Sequence, residues 1–114
     1  MTLEELRNQI DVLDRKLVEL LSERARTVQM IGHIKASTAQ PVYEPSREKL
    51  IYANLRAANK GPLPDIELTH IYERIIDVMR ALQRNELASE KNAQAAHAPG
   101  HATGAEAPET GKKQ

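Results

Sequence analysis

The feature that most constrains this chain is a long, uninterrupted helical pattern near its N-terminus. Residues 3–35 contain no proline and a single glycine, Gly32. Thr2 and Glu5 have the spacing of a capping box, so we expect the helix to begin at Leu3. Large apolar side chains recur mostly in steps of three and four, which indicates a helix rather than a strand: Leu3, Leu6, Ile10, Leu13, Leu17, Leu20, Val28, Ile31 and Ile34.

This helix is too long for a globule made by one chain. About 33 residues rise roughly 50 Å along a helix axis, whereas a folded unit of about 86 residues is expected to be about 30 Å across. The apolar stripe must therefore extend past the core of its own chain, and another chain must cover it. We expect a homodimer in which long helices pack against each other.

Two shorter helices are predicted to follow. Pro45 suits the first turn of a second helix, and Gly61, followed by a proline, is expected to cap its C-terminus. Asp65 is expected to be the N-cap of a third helix, whose apolar stripe covers residues 68–82. Because no segment alternates apolar and polar residues as a strand does, the predicted class is all-α, a three-helix protomer with one very long N-terminal helix.

The composition changes near residue 87. We predict a folded domain over residues 1–86 and a disordered tail over residues 87–114. The tail contains a single large apolar side chain, so it cannot bury enough apolar surface to offset the entropy lost on ordering. His97 and His101, four residues apart, could hold a metal. A proline and a glycine lie between them, which favours a solvated linker.

The composition also excludes several functions. Lys+Arg and Asp+Glu are both 16, so the formal net charge is zero, and a nucleic-acid partner is not expected. The chain has no cysteine, which excludes a thiolate nucleophile and a cysteine metal site. The longest apolar run has four residues, so no membrane span is expected. The charged N-terminal sequence does not resemble a signal peptide, and we expect a cytoplasmic protein.

Polar residues interrupt the apolar stripes at positions that could form a binding site. Arg24 and Lys35 are eleven residues apart and share a helix face, roughly 16 Å apart along the axis. Gln83 lies on the stripe of the third helix, and Arg47 and Glu48 lie at the start of the second. Each alone could be an ordinary surface or helix-end residue. Together, the cations would be expensive to bury without a partner, and a small anion would supply it.

Arg7 lies seventeen residues before Arg24 on the same helix, about 25 Å away. It therefore could reach such a site only in the partner chain of a dimer. An ion pair with Asp11, four residues later, is an equally good explanation of its position.

In combination, these residues resemble the all-helical class of chorismate mutases. The resemblance covers residues 3–86, essentially the whole predicted domain. It implies an intertwined homodimer with two active sites that convert chorismate to prephenate, toward phenylalanine and tyrosine, and it implies neither a cofactor nor a metal. It is carried by Arg7, Ile10, Asp11, Leu13, Asp14, Leu17, Leu20, Leu21, Arg24, Lys35, Pro41, Val42, Arg47, Glu48, Ile75, Ile76 and Gln83.

The resemblance also implies roles for single residues. Arg24 and the partner subunit's Arg7 would bind the two substrate carboxylates. Lys35 and Gln83 would be the catalytic residues, because both would donate hydrogen bonds to the ether oxygen of the substrate.

The remaining implied roles concern substrate binding. Glu48 would hold the ring hydroxyl, assisted by the backbone near Glu44, and Arg47 would line the pocket. Met79 departs from relatives that have a small hydroxyl residue in contact with a carboxylate, and a thioether cannot donate that hydrogen bond.

Three alternatives stay open. An isochorismate–pyruvate lyase would share the fold and much of the pocket, although Glu48 suits the hydroxyl of chorismate. A non-catalytic dimerisation or regulatory module of the aromatic pathway would need only the long helix. A generic coiled-coil adaptor is disfavoured because the second and third helices have apolar stripes of their own.

Overall fold

The computed structural model describes residues 1–96 of the chain as three helices. They are α1 (Leu3–Thr38), α2 (Pro45–Ala58) and α3 (Asp65–Ala96). No strand occurs within residues 1–96, so the prediction of an all-α fold with one very long N-terminal helix is confirmed. None of these three helices is long and apolar enough to cross a membrane.

The start of α1 has the predicted capping box. Thr2 Oγ1 accepts from the backbone N–H of Glu5 at 3.1 Å, and Glu5 Oε1 accepts from the backbone N–H of Thr2 at 2.8 Å. The helix ends at Thr38, three residues later than predicted. The hydroxyls of Ser37 and Thr38 donate to the carbonyl of Ile34 within the last turn, so these two residues continue the helix.

The loop between α2 and α3 corrects two predicted caps. Asp65 is the first residue of α3, and the carbonyl of Pro64 accepts the N–H of Leu68 at 3.0 Å. The carboxylate of Asp65 instead accepts from Asn59 Nδ2 at 2.7 Å. Asn59 also occupies the C-cap of α2, whereas Gly61 lies two residues further on, with a φ of 73° that glycine adopts without strain.

The third helix continues ten residues beyond the predicted domain boundary at residue 86. The segment from 87 to 96 contains no glycine or proline and is rich in alanine and other good helix formers. The rest of the predicted tail, with His97 and His101, lies outside the described residues. The boundary between domain and tail therefore stays a prediction.

The small core lies where α1 and α3 meet. Arg24 of α1 lies over Tyr72 of α3, and Lys35, eleven residues after Arg24, contacts Gln83, eleven residues after Tyr72. The two helices therefore run in the same direction there. The buried apolar side chains are Val28, Ile76 and Met79.

The first half of α1 extends beyond this core. Every residue from 1 to 23 is exposed in the single chain. The described part of the chain is 67 Å long but only 34 by 17 Å in its other directions. The apolar stripe predicted from the sequence is thus uncovered by its own chain over residues 3–20.

Candidate active site

A cavity of about 310 Å³ lies between the second half of α1, the start of α2 and the middle of α3. Seven of the eight predicted site residues line it, and Arg7 alone does not. The cavity is lined by four cations and two carboxylates, an excess of two positive charges. These seven predicted residues are Arg24, Lys35, Glu44, Arg47, Glu48, Met79 and Gln83.

Lys35 is the most buried polar residue of the site, with 3% of its surface exposed. Its ammonium donates to the carbonyl of Val42 at 3.1 Å and to Gln83 Oε1 at 2.9 Å. It also lies 2.6 Å from Glu44 Oε2. The predicted contribution of Glu44 was through its backbone, and the structure adds this contact of its carboxylate.

The contact with Lys35 also orients the amide of Gln83. An ammonium can only donate, so the amide oxygen faces Lys35 and the amide nitrogen is the group left to donate elsewhere. Gly32 permits this approach of α3 to α1, because a Cβ there would lie 3.3 Å from Gln83 Cα and 3.1 Å from Glu86 Cβ.

Arg24 and Arg47 are the cations of the cavity that have no carboxylate partner. Within residues 1–96, no carboxylate lies within ion-pair distance of either guanidinium. Arg24 is half-buried, and its guanidinium lies 5.9 Å from the centre of the Tyr72 ring. These two residues are therefore the groups best placed to bind an anion.

The carboxylates correct one expectation. The sequence suggested inward cations with no matching acids, whereas Glu44 contacts Lys35 and Glu48 contacts Arg80 inside the cavity. The positive charge is partly neutralised, and the unmatched part resides on Arg24 and Arg47.

Arg80 is a cavity residue that the sequence reasoning missed. Its Nε and Nη2 donate to Glu48 Oε2 at 3.2 and 2.6 Å, and its guanidinium lies 5.0 Å from the centre of the Tyr43 ring. The hydrogen bond to Glu48 raises the pKa of Arg80 above its usual value. The signal was present, because Arg80 follows Ile76 by four residues and precedes Gln83 by three on one helix face.

Tyr52 lies beside this pair, on α2. Burial raises the pKa of its hydroxyl, and the nearby carboxylates of Glu73, Glu48 and Asp77 raise it further. The phenol is therefore neutral at physiological pH.

Met79 and Arg7 occupy very different positions. Met79 is 6% exposed and belongs to the apolar wall of the cavity, beside Val28 and Ile76. Arg7 lies on the exposed first half of α1, about 25 Å along the helix from Arg24. One chain alone does not bring Arg7 to the cavity.

The described residues contain no group of three or more histidine, cysteine, aspartate or glutamate side chains that could hold a metal ion. The cavity has two unpaired guanidiniums near an ammonium and an amide, above an apolar wall. This arrangement suits a small molecule with an apolar frame and more than one negatively charged group.

Comparison with protein families identifies the type of domain. Residues 6–84 match the family model described as Chorismate mutase type II. The matched range contains α2, most of α1, and α3 as far as the residue that follows Gln83.

Curated proteins with similar sequences carry related names. The chain is 32% identical over 91 residues to the chorismate mutase of Methanocaldococcus jannaschii, covering 79% of this chain and 92% of that protein. It is 37% identical over 86 residues to the bifunctional chorismate mutase/prephenate dehydratase of Aquifex aeolicus, covering 72% of this chain. The chain spans only 24% of the length of that bifunctional protein.

Solved structures with the same fold are also similar in sequence. A chorismate mutase from Thermus thermophilus (form II) superposes with a TM-score of 0.70 at 36% identity, over 71% of this chain and 92% of that chain. A chorismate mutase from Helicobacter pylori in complex with prephenate superposes with a TM-score of 0.70 at 35% identity, over 75% of this chain and 93% of that chain.

Proposed function

The chain belongs to the chorismate mutase type II family, and we propose on that basis that it rearranges chorismate to prephenate. The observation that carries this proposal is the cavity in which Lys35 meets Gln83 beside two unpaired guanidiniums. The reaction is a Claisen rearrangement, in which one C–O bond breaks and one C–C bond forms within the same molecule. No proton, hydride or electron passes through the enzyme.

The first requirement of the reaction is conformation. The enolpyruvyl arm must fold over the ring into a chair-like geometry before the new bond can form. Guanidiniums bind carboxylates through two parallel hydrogen bonds and hold them at fixed positions. We assign one substrate carboxylate to Arg24 and the other to the partner subunit's Arg7. Such restraint removes several kcal/mol from a barrier.

The second requirement is stabilisation of charge. The ether oxygen becomes more negative as its C–O bond breaks, so donors fixed on it bind the transition state better than the ground state. We assign this role to Lys35, which supplies a full charge, and to the amide nitrogen of Gln83. The low exposure of Lys35 supports the assignment, because a charge acts more strongly where water is excluded.

The remaining cavity residues are assigned to binding. Glu48 would accept a hydrogen bond from the ring hydroxyl, and the backbone near Glu44 would assist. Arg47 would add positive charge at the cavity wall, and Met79 would supply apolar contact in place of a hydroxyl. None of these groups needs to change its protonation state during the reaction.

We also propose that the chain acts as an intertwined homodimer. Leu6, Ile10 and Leu13 are between 44% and 55% exposed in the single chain, and a second α1 packed against this stripe would remove them from water. Since Arg7 lies on the same uncovered half of α1, the dimer would also bring Arg7 to the partner's cavity. Substrate and product belong to amino-acid biosynthesis, so we expect the enzyme to act in the cytoplasm.

One assay tests the proposed activity. The purified chain is incubated with chorismate, and the disappearance of chorismate is followed together with the appearance of prephenate. A parallel incubation with isochorismate follows salicylate and pyruvate. Prephenate formation supports the mutase, salicylate with pyruvate would identify the lyase, and no turnover of either substrate would favour a dimerisation or regulatory module.

A further inference from the structure

The ion pair between Arg80 on α3 and Glu48 on α2 has an asymmetric geometry. Arg80 Nε and Nη2 both donate to the same carboxylate oxygen, Glu48 Oε2, at 3.2 and 2.6 Å. Within residues 1–96, no donor contacts the other oxygen, Oε1. One oxygen of Glu48 is therefore held by the protein, and the other keeps its capacity to accept a hydrogen bond.

We propose that Arg80 is a positioning residue that fixes Glu48 through Oε2 and so presents Oε1 to the ring hydroxyl of the substrate. This inference rests on the proposed function, because it takes the hydroxyl of chorismate as the group that Glu48 binds. It adds to the site a residue that acts through another side chain.

The surroundings of Arg80 explain why it would act on Glu48 and not on the substrate. Its third nitrogen, Nη1, lies 3.5 Å from Asp77 Oδ1, and the Tyr43 ring lies 5.0 Å from the guanidinium carbon. Two of its three nitrogens donate to Glu48, and the third lies near Asp77. Arg24 and Arg47 have no such carboxylate partner among the described residues.

The contact also joins the second helix to the third. No residue of α2 is fully buried in the single chain. The Arg80–Glu48 pair is the one ion pair that joins α2 to α3 within the described residues. Since Glu48 lies in the first turn of α2, the pair fixes both the carboxylate and the end of the helix that faces the cavity.

The first test separates binding from chemistry in the variant Arg80→Ala. The ring hydroxyl keeps its own C–O bond throughout the rearrangement and is neither the group that leaves nor the one that forms a bond, so Glu48 should bind it about equally well in the ground state and the transition state. We expect KM for chorismate to rise by about 10- to 100-fold, as for the loss of a charged hydrogen bond, while kcat changes by less than about threefold. A fall in kcat with an unchanged KM would overturn the proposal.

A double-mutant cycle with Glu48→Ala tests whether Arg80 acts through Glu48. Once Glu48 is removed, Arg80→Ala should change kcat/KM by less than about twofold, because both changes remove the same interaction. Multiplicative losses would show that Arg80 binds the substrate directly or acts elsewhere. An inhibitor that resembles chorismate but lacks the ring hydroxyl should bind Arg80→Ala and the parent equally well, and unequal binding would also overturn the proposal.

Two further variants guard against a purely structural loss. Arg80→Lys keeps a positive charge beside Glu48 but not the two-pronged contact, and it should recover part of the lost affinity even if Arg80→Ala folds poorly. Arg84→Ala removes an exposed arginine from the same helix and should leave KM unchanged. A parent that does not turn over chorismate would refute the proposed function, whereas an active parent with independent Arg80 and Glu48 effects would refute this inference alone.

Discussion

Lys35 and Gln83 contact each other across the interface of α1 and α3, with 2.9 Å between Lys35 Nζ and Gln83 Oε1. The two side chains proposed to stabilise the ether oxygen therefore also orient each other. Removing either one deprives the other of one of the contacts that position it. The losses of activity from changing both residues should consequently be smaller than the product of the two single losses.

Replacement of Lys35 by alanine should nearly abolish catalysis. We expect Lys35→Ala to lower kcat by about 10²- to 10³-fold, because deletion of one preorganised donor at a developing oxyanion has an effect of that size. Steady-state kinetics of chorismate disappearance measure it. Lys60→Ala, at an exposed loop position, is the matched control and should retain parental kcat. Equal activity of both variants would remove Lys35 from the mechanism.

Replacement of Gln83 by glutamate should change the pH dependence of the reaction. An amide donates at any pH, whereas a carboxyl donates only when it is protonated. Gln83→Glu should therefore be nearly inactive at neutral pH and gain activity as the pH falls toward roughly 4, the ordinary titration range of glutamate. The measurement is kcat/KM against pH. Gln83→Met, which has no titrating group, should stay inactive throughout, and a parental pH profile for Gln83→Glu would show that residue 83 is not the donor.

Replacement of Gly32 by alanine should affect catalysis more than folding. Alanine is favoured over glycine in a helix by about 1 kcal/mol, but the new methyl group crowds the backbone of α3 at Gln83, which costs about 1–3 kcal/mol. We expect the free energy of unfolding to fall by at most about 2 kcal/mol, while kcat falls about tenfold because Lys35 and Gln83 are displaced.

Urea denaturation and kinetics measure these two quantities for Gly32→Ala. Gly32→Ser, with a larger group at the same position, should lower kcat at least as much. Parental kcat in both variants would show that the close approach at Gly32 does not set the geometry of the site.

Mixing two inactive variants should restore activity if Arg7 acts across the dimer. Arg7→Ala and Arg24→Ala each damage every site of their own homodimers. A mixed dimer would have one site with both arginines and one site with neither, so unfolding and refolding an equal mixture should restore about a quarter of the parental activity. Mixing Arg7→Ala with Lys35→Ala should do the same. No gain in either mixture would place Arg7 outside the partner's site.

The helices could be predicted from the sequence because their signals are local. The apolar steps from Leu3 to Ile34 and the spacing of Thr2 and Glu5 depend only on residues within one helix. The predicted caps at Gly61 and Asp65 were wrong because the side chain of Asn59 engages both residues. Its amide nitrogen donates to the carboxylate of Asp65, and its amide oxygen accepts from the backbone N–H of Gly61. Such a competition between neighbouring polar groups is not visible in a periodic pattern.

The part of the site that lies on a single helix could be predicted from the sequence. Arg24 and Lys35 share a face of α1, and their common cavity follows from a spacing of eleven residues. Arg80 was missed because its role depends on Glu48, 32 residues away on another helix. The contact of the Glu44 carboxylate with Lys35 was missed for the same reason, since it depends on how the loop after α1 returns to the helix.

The ammonium of Lys35 has three N–H groups, and its three acceptors, on Val42, Gln83 and Glu44, already match that number. A fourth acceptor can be served only when one of these three gives way. Glu44 is the one at the solvent edge, with 45% of its side chain exposed, so its departure would disturb the packing least. Ligand binding at this site is then a competition for one N–H group of Lys35, in which the incoming oxygen must displace the carboxylate of Glu44.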